Sequence, residues 1–194
     1  MFARLRERRA LAVLPASVAR FYGDALAVAR ERGHAWGIEA ATRPAELRTL
    51  LDLAAGARLI VELGTGPAWT TAALALGQPQ ARVVSYDPVV HDHRDAYLAL
   101  VPRDVRSRIE FVQAPGAAGA AAGAGPVDLL FIDSTHEREG TLAEFRAWRP
   151  RLASGAVVAF HDHGHPDFPG VAEAVAQLGL DGEAHGGLYA WRAS

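Results

Sequence analysis

Apolar residues along this chain first recur with helical spacing and then fall into short continuous runs. Between Ser17 and Arg32, the residues Val18, Phe21, Tyr22, Ala25, Leu26 and Ala29 share one helical face, and Gly33 supplies a stop. A second helix is predicted from Pro44, with Leu47, Leu50, Leu51 and Ala54 on one face and Gly56 beyond its end. From Arg58 the pattern alternates. Arg58–Leu63, Arg82–Tyr86, Ile109–Gln113, Val127–Ile132 and Ala156–Phe160 read as strands; Thr70–Leu76, Arg94–Leu100, Glu137–Trp148 and Val171–Leu178 read as helices. Strands that are apolar throughout and separated by helices imply a parallel sheet covered on both faces. After Leu180 there is no room for another crossover helix. Gly182–His185 and Leu188–Trp191 meet at Gly186-Gly187 as a hairpin, so one terminal strand must run antiparallel to its neighbour. The fold class is α/β, doubly wound, with helices on both faces of a mostly parallel sheet. The segment Ala114–Gly125, nearly all alanine and glycine, reads equally as a loose helix or a mobile loop.

Composition narrows the class. The length of 194 residues fits one domain, divided into leading helices (1–56) and a core (57–194). Half the residues are hydrophobic, enough for a sizeable core, and a net charge of −2 argues against a dedicated nucleic-acid binder. Cysteine is absent, which excludes disulfides and thiolate metal sites and fits a cytoplasmic protein. The arginine-rich start leads into Ala10–Leu14, cut by Pro15, too short for a signal-peptide core. No run reaches the ~18–20 apolar residues of a membrane span. The basic start therefore reads as a solvated helix face rather than a membrane-surface or partner helix.

Ligands of an open parallel sheet bind outside the carboxyl ends of its strands. The first strand ends in Val61-Glu62-Leu63-Gly64-Thr65-Gly66-Pro67-Ala68-Trp69-Thr70, a glycine turn that lets backbone approach a ligand at a helix start. The second ends in Ser85-Tyr86-Asp87-Pro88, with an acid about 20 residues past the glycines, suited to ribose hydroxyls. A dinucleotide loop wants a third glycine where Trp69 stands. Glu62 is an unhelpful charge near a pyrophosphate and a useful one near a cationic ligand.

These residues, with Asp-Leu-Leu-Phe-Ile-Asp-Ser-Thr-His-Glu-Arg-Glu-Gly from Asp128 and Gly-Ala-Val-Val-Ala-Phe-His-Asp from Gly155, resemble a class I S-adenosylmethionine-dependent methyltransferase. The nearest branch is the small-molecule O-methyltransferases, catechol-type and antibiotic-tailoring, often metal-dependent. The resemblance covers roughly Arg58 to Arg192 and implies a seven-stranded Rossmann-like sheet with an antiparallel C-terminal hairpin strand. It implies that Gly64, Thr65 and Gly66 border the methionine part of S-adenosyl-L-methionine and that Thr70 opens the following helix near it; Glu62 and Asp133 are further candidate cofactor-binding residues. Asp87 would hold the ribose, and Gln113 and Ala114 would border the adenine. The small-acidic pair common in the family near that last position is missing here.

Six of the eight histidines follow strand ends: His91 and His93, His136, then His161, His163 and His165. Together with Asp133 and Asp162 they suggest a divalent metal site. By the resemblance the ligands are Asp133, His161 and Asp162, where relatives carry a carboxylate in place of His161. Imidazole there shifts preference from magnesium toward manganese or another transition metal. His136 matches the position of the lysine base in catechol-type enzymes, and histidine suits proton transfer near neutral pH; a helix-capping role is the alternative. His161 and Asp133 complete the candidate catalytic group. The expected activity is O-methylation of a small-molecule hydroxyl, with no nucleic-acid or membrane partner and with a homo-oligomer as one way to complete a lightly covered pocket. The alternatives are a nicotinamide-dependent oxidoreductase and a non-catalytic nucleoside-binding protein on the same fold.

Overall fold

The computed structural model describes residues 2–122 and 125–194. Four helices lead: α1 (Phe2–Leu11), α2 (Ala16–Arg32), α3 (Ala35–Glu39) and α4 (Pro44–Leu53). The six apolar residues predicted for the face of α2 are all buried, and Gly33 ends the helix in the left-handed conformation (φ 71°). Leu47, Leu50 and Leu51 form the buried face of α4. Five-residue α3 has too few turns to leave a periodic signal.

The alternating part runs β1 (Leu59–Leu63), α5 (Trp69–Gly77), β2 (Arg82–Tyr86), α6 (Arg94–Leu98), α7 (Arg103–Arg106), β3 (Ile109–Val112), α8 (Gly116–Gly119), β4 (Val127–Ile132), α9 (Arg138–Trp148), β5 (Leu152–Phe160), α10 (Pro169–Leu178), β6 (Glu183–His185) and β7 (Leu188–Arg192). Most boundaries shift by one or two residues from expectation, and two changes matter. The helix predicted over Arg94–Leu100 ends at Leu98, and α7 follows after Pro102. β5 begins at Leu152 rather than Ala156, because its first residues pair with β4 across a register shift although Gly155 (φ 75°) interrupts the apolar run. In the alanine-glycine segment, α8 and a 3-10 turn at Ala120–Ala122 form, and residues 123 and 124 lie outside the described residues.

The seven strands are ordered β3-β2-β1-β4-β5-β7-β6. β7 runs antiparallel to both β5 and β6, and the other pairs are parallel. The sheet has the predicted doubly wound, mixed form. Successive strand residues feed opposite cores: Ile60, Val83, Leu129, Phe131 and Val157 pack with α2, α4 and α5, while Val61, Val84, Leu130, Ile132 and Val158 pack with α9 and α10. Among the described residues no helix is long and apolar enough to cross a membrane.

Register positions the site. Leu63 pairs with both Tyr86 and Ile132, and Ile132 with Phe160, so four strands end level. One further rung of hydrogen bonds holds the residues just beyond: Gly64 N–H to Tyr86 O (2.8 Å), Asp87 N–H to Val112 O (3.1 Å), Asp133 N–H to Leu63 O (2.8 Å) and His161 N–H to Ile132 O (2.9 Å). Gly64, Asp87, Asp133 and His161 therefore form a row along one sheet edge.

Candidate functional site

That edge opens into one cleft of about 900 Å³, large enough for a nucleoside-sized ligand together with a small second molecule. At its β1 end the turn is built for close approach. Gly64 sits at φ 97°, and a Cβ there would lie 1.9 Å from the Asp133 carbonyl oxygen, so this glycine lets the turn pack onto β4. Gly66 faces the cleft, with Trp36 the nearest neighbour to a Cβ placed on it, at 3.7 Å. Both backbone N–H groups of Thr65 and Gly66 donate to Asp87 Oδ2 at 3.0 Å, and the Val89 N–H donates to Oδ1 at 2.8 Å. Asp87 thus clamps the glycine turn and still lines the cleft, where a carboxylate's remaining lone pairs can accept further donors. Thr65 and Thr70 also line it. Their hydroxyls are tied back to Ser85 Oγ (2.6 Å) and Thr42 Oγ1 (2.9 Å).

Two expectations on this side are corrected. Glu62 does not face the cleft: its carboxyl is fully buried and accepts hydrogen bonds from the Thr71 and Ser85 hydroxyls, while Oε1 has no partner. Burial pushes it up to about 8 against the opposing pull of those two hydroxyls, so at neutral pH it is mostly uncharged and cannot serve a cation. Gln113 and Ala114 do not line the main cleft. The next two residues, Pro115 and Gly116, do; Gln113, exposed and donating to the Pro88 carbonyl (3.4 Å), lines a smaller pocket with Thr65 and Asp87. Trp69 is buried edge-on against Tyr22 of α2 and Tyr97 of α6, with ring centroids 5.3 and 5.1 Å apart, which fixes α5 to both helices in the place where a third glycine would allow a closer approach.

At the β4–β5 end two carboxylates and two imidazoles meet. His136 Nε2 lies 3.3 Å from Asp133 Oδ1 and 3.0 Å from Asp162 Oδ2. His161 Nδ1 lies 3.1 and 3.2 Å from the same two oxygens, but at angles that leave this buried nitrogen without a hydrogen bond, so the contact is ionic. His136 and Asp162 both sit at φ 55°, a left-handed conformation that non-glycine residues adopt at a cost of about 1–3 kcal/mol and that concentrates at functional sites. Hydrogen bonds to Asp133 and Asp162 lift His136 to about 9. Burial would lower His161, but the charge of Asp133, the close contacts with Asp133 and Asp162 and the bond to Glu46 raise it to about 12. Burial likewise opposes the ionised form of both aspartates, and the two rings outweigh it, holding both carboxyls below their ordinary range. A His136 titrating near its free value, as a neutral-pH base would, is therefore corrected: without a cation beside the aspartates the ring is held protonated.

Among the described residues, the atoms that converge within 4.8 Å of one another belong to Asp133, His136 and Asp162, while His161, the imidazole expected as a ligand, stands beside this group with its Nδ1 near both aspartates. His161 turns its other nitrogen to Glu46 Oε2, 3.4 Å away. Glu46 also accepts the Gly187 N–H (3.3 Å), tying α4 to the β6–β7 hairpin. His91, His163 and His165 line the cleft as expected, whereas His93 stacks on His34 outside it. Glu46 of α4, Ser134 and Glu144 also line the cleft without any sequence signal. An acid in a helix's first turn is commonplace, and Glu144 reads as one polar position of α9.

Residues 61–163 match the methyltransferase domain family. No curated protein matches the chain. Among solved structures it is similar to cofactor-bound Rv0187 from MTB (25% identity, TM-score 0.65, covering 79% of this chain and 81% of that one). It also shares its fold with the O-methyltransferase from Bacillus cereus in complex with SAH (18% identity, TM-score 0.70, covering 92% and 91%) and with the O-methyltransferase TomG from Streptomyces achromogenes in complex with SAM, involved in tomaymycin synthesis (18% identity, TM-score 0.64, covering 93% and 91%). Because the match spans more than half of the residues and carries the glycine turn, Asp87, Asp133 and His161, the chain belongs to the methyltransferase domain family.

Proposed function

We propose that this chain transfers the methyl group of S-adenosylmethionine to a hydroxyl oxygen of a small molecule. The observation that carries the reading is that one cleft joins the Asp87-clamped glycine turn to the strained Asp133–His136–Asp162 cluster. The turn suits the nucleoside and the sulfonium; the cluster suits a hydroxyl that must lose its proton. In the reaction the acceptor oxygen forms a bond to the methyl carbon as the carbon–sulfur bond breaks, and S-adenosylhomocysteine leaves as a neutral thioether. Alignment of oxygen, carbon and sulfur is the main service of such a cleft. The acceptor's proton passes to the cluster's carboxylates, Asp133 and Asp162, since His136 is protonated without a cation and, with one, has its Nε2 engaged.

The cluster fits a divalent cation. Two carboxylates and an imidazole nitrogen converge, and a buried unpartnered nitrogen of His161 points into the same space. Asp133, Asp162 and His136 would hold such an ion, which when bound supplies Lewis-acid activation of the acceptor hydroxyl. Its ligand chemistry favours manganese or another transition metal over magnesium. Glu46 and His161 would orient the aspartates from behind. We further read the chain as one domain, since Glu46 from the leading helices reaches the same cleft. The lack of cysteine suits a cytoplasmic setting.

The test is methyl transfer from labelled S-adenosylmethionine to a panel of catechol-type and other hydroxylated small molecules, with manganese and with excess chelator. Label is expected in at least one hydroxyl acceptor, falling with chelator and returning with manganese. Transfer to amines or carbon alone would overturn the oxygen assignment, and full activity in chelator with no metal by elemental analysis would retire the cation.

A further inference from the structure

The cleft contains a buried acid that the proposed chemistry does not use. Glu144 on α9 is 4% exposed, yet it lines the cleft. Its Oε2 accepts the Ser134 hydroxyl at 2.5 Å, and Oε1 accepts no hydrogen bond among the described residues. Oε1 lies where a side chain on Gly116 would begin: a Cβ there would meet it at 2.5 Å and Leu63 Cβ at 3.1 Å. The absence of a side chain at Gly116 is what admits the carboxyl beside the segment that follows β3. The position is held from the other side as well, since Trp148, one turn further along α9, donates its indole N–H to the Gly116 carbonyl at 2.9 Å.

We propose that Glu144 reads the base of the cofactor, accepting the exocyclic amine of adenine at Oε1. This rests on the S-adenosylmethionine reading, and three features of the site support it. Strand order is β3-β2-β1-β4-β5, and the acid–imidazole cluster that would meet the acceptor follows β4 and β5. A nucleoside whose reacting end points to that cluster and whose ribose sits at Asp87 on β2 has its base directed toward β3. The residues facing the cleft there are Pro115 and Gly116, which offer no side-chain acceptor, while Gln113 lines a smaller pocket beside Thr65 and Asp87 and donates its amide to the Pro88 carbonyl. Glu144 and Ser134 are the polar side chains beside them. A carboxylate with one oxygen bound to a hydroxyl and the other facing the cleft has acceptor capacity left, and an amine donor there completes it. Burial pushes Glu144 up while Ser134 pulls it down, so a further donor favours the charged form.

The test compares calorimetric affinities for S-adenosylhomocysteine and S-inosylhomocysteine, which carries a carbonyl oxygen in place of the amine. The wild type should prefer the adenosyl form by about tenfold or more, the scale of one lost bond to a charged group with a repulsive oxygen in its place. In Glu144→Gln, of nearly equal shape, the amide can donate to that oxygen, so the preference should shrink toward parity or reverse. A purely structural role for Glu144 would weaken both ligands alike and leave the ratio unchanged, which would overturn the inference. A wild type that does not distinguish the two ligands would overturn it as well, independently of whether the variant folds. Should neither ligand bind the wild type, the cofactor reading itself fails and this inference with it; tight but indiscriminate binding refutes the inference alone.

Discussion

Glu62 shows how a single side chain can carry a liability that the fold absorbs. Its carboxyl is fully buried among hydroxyls, with one oxygen unpartnered, and it titrates near 8 against an ordinary 4.5. Between those values the folded protein keeps a proton that the unfolded chain has released. Stability therefore falls as pH rises from about 4.5 to about 8 and levels off above. Glu62→Gln keeps the hydrogen-bonding shape without the titration. It should match the wild type near pH 4.5 and be more stable at pH 8, on the order of a few kcal/mol, as measured by denaturant unfolding. A variant less stable than the wild type at pH 8 would mean that the carboxylate is needed charged. The same residue marks a limit of sequence reading. An acid two places before a glycine turn looks like a ligand contact, but strand alternation puts Glu62 on the face shared with Ile60, toward Thr71 of α5. Asp87 and Asp133, just past the ends of their strands, carry no such ambiguity, because residues there leave the sheet at its edge.

At the level of elements, the strand ends were legible because apolar runs stop abruptly at Gly64, Asp87, Asp133 and His161, and their level register follows from parallel pairing. The same runs predicted β2 and β4 over their full observed lengths. What the pattern could not carry was contact between elements distant in the chain. Glu46, in the first turn of α4, reaches His161 and the Gly187 N–H across the cleft. Nothing in its own neighbourhood separates it from an acid that merely favours a helix start. If it orients His161 behind the two aspartates, Glu46→Ala should lower turnover about 10–100-fold, the usual range for a supporting carboxylate, with little change in S-adenosylhomocysteine affinity. Glu46→Gln, still able to accept the Gly187 N–H, should fall between. Steady-state kinetics beside calorimetry check this; unchanged turnover in Glu46→Ala would make the contact incidental to the reaction.

For the whole molecule, the doubly wound sheet supplies an edge that joins the glycine turn to the acid–imidazole cluster, and the leading helices wall it with Trp36 and Glu46. Fold alone assigns no reaction. What distinguishes this cleft from a dinucleotide site is Trp69, packed against Tyr22 where a third glycine would stand, and the strained cluster at the far end. The most direct measurement is calorimetric titration with S-adenosylhomocysteine and, separately, with NADH, on the wild type and on Asp87→Ala. The wild type should bind S-adenosylhomocysteine and not NADH. Asp87→Ala should bind the former about 30-fold more weakly or worse, having lost both the ribose acceptor and the clamp on Thr65 and Gly66. Binding of NADH in place of S-adenosylhomocysteine, or equal affinity in the wild type and Asp87→Ala, would contradict the account.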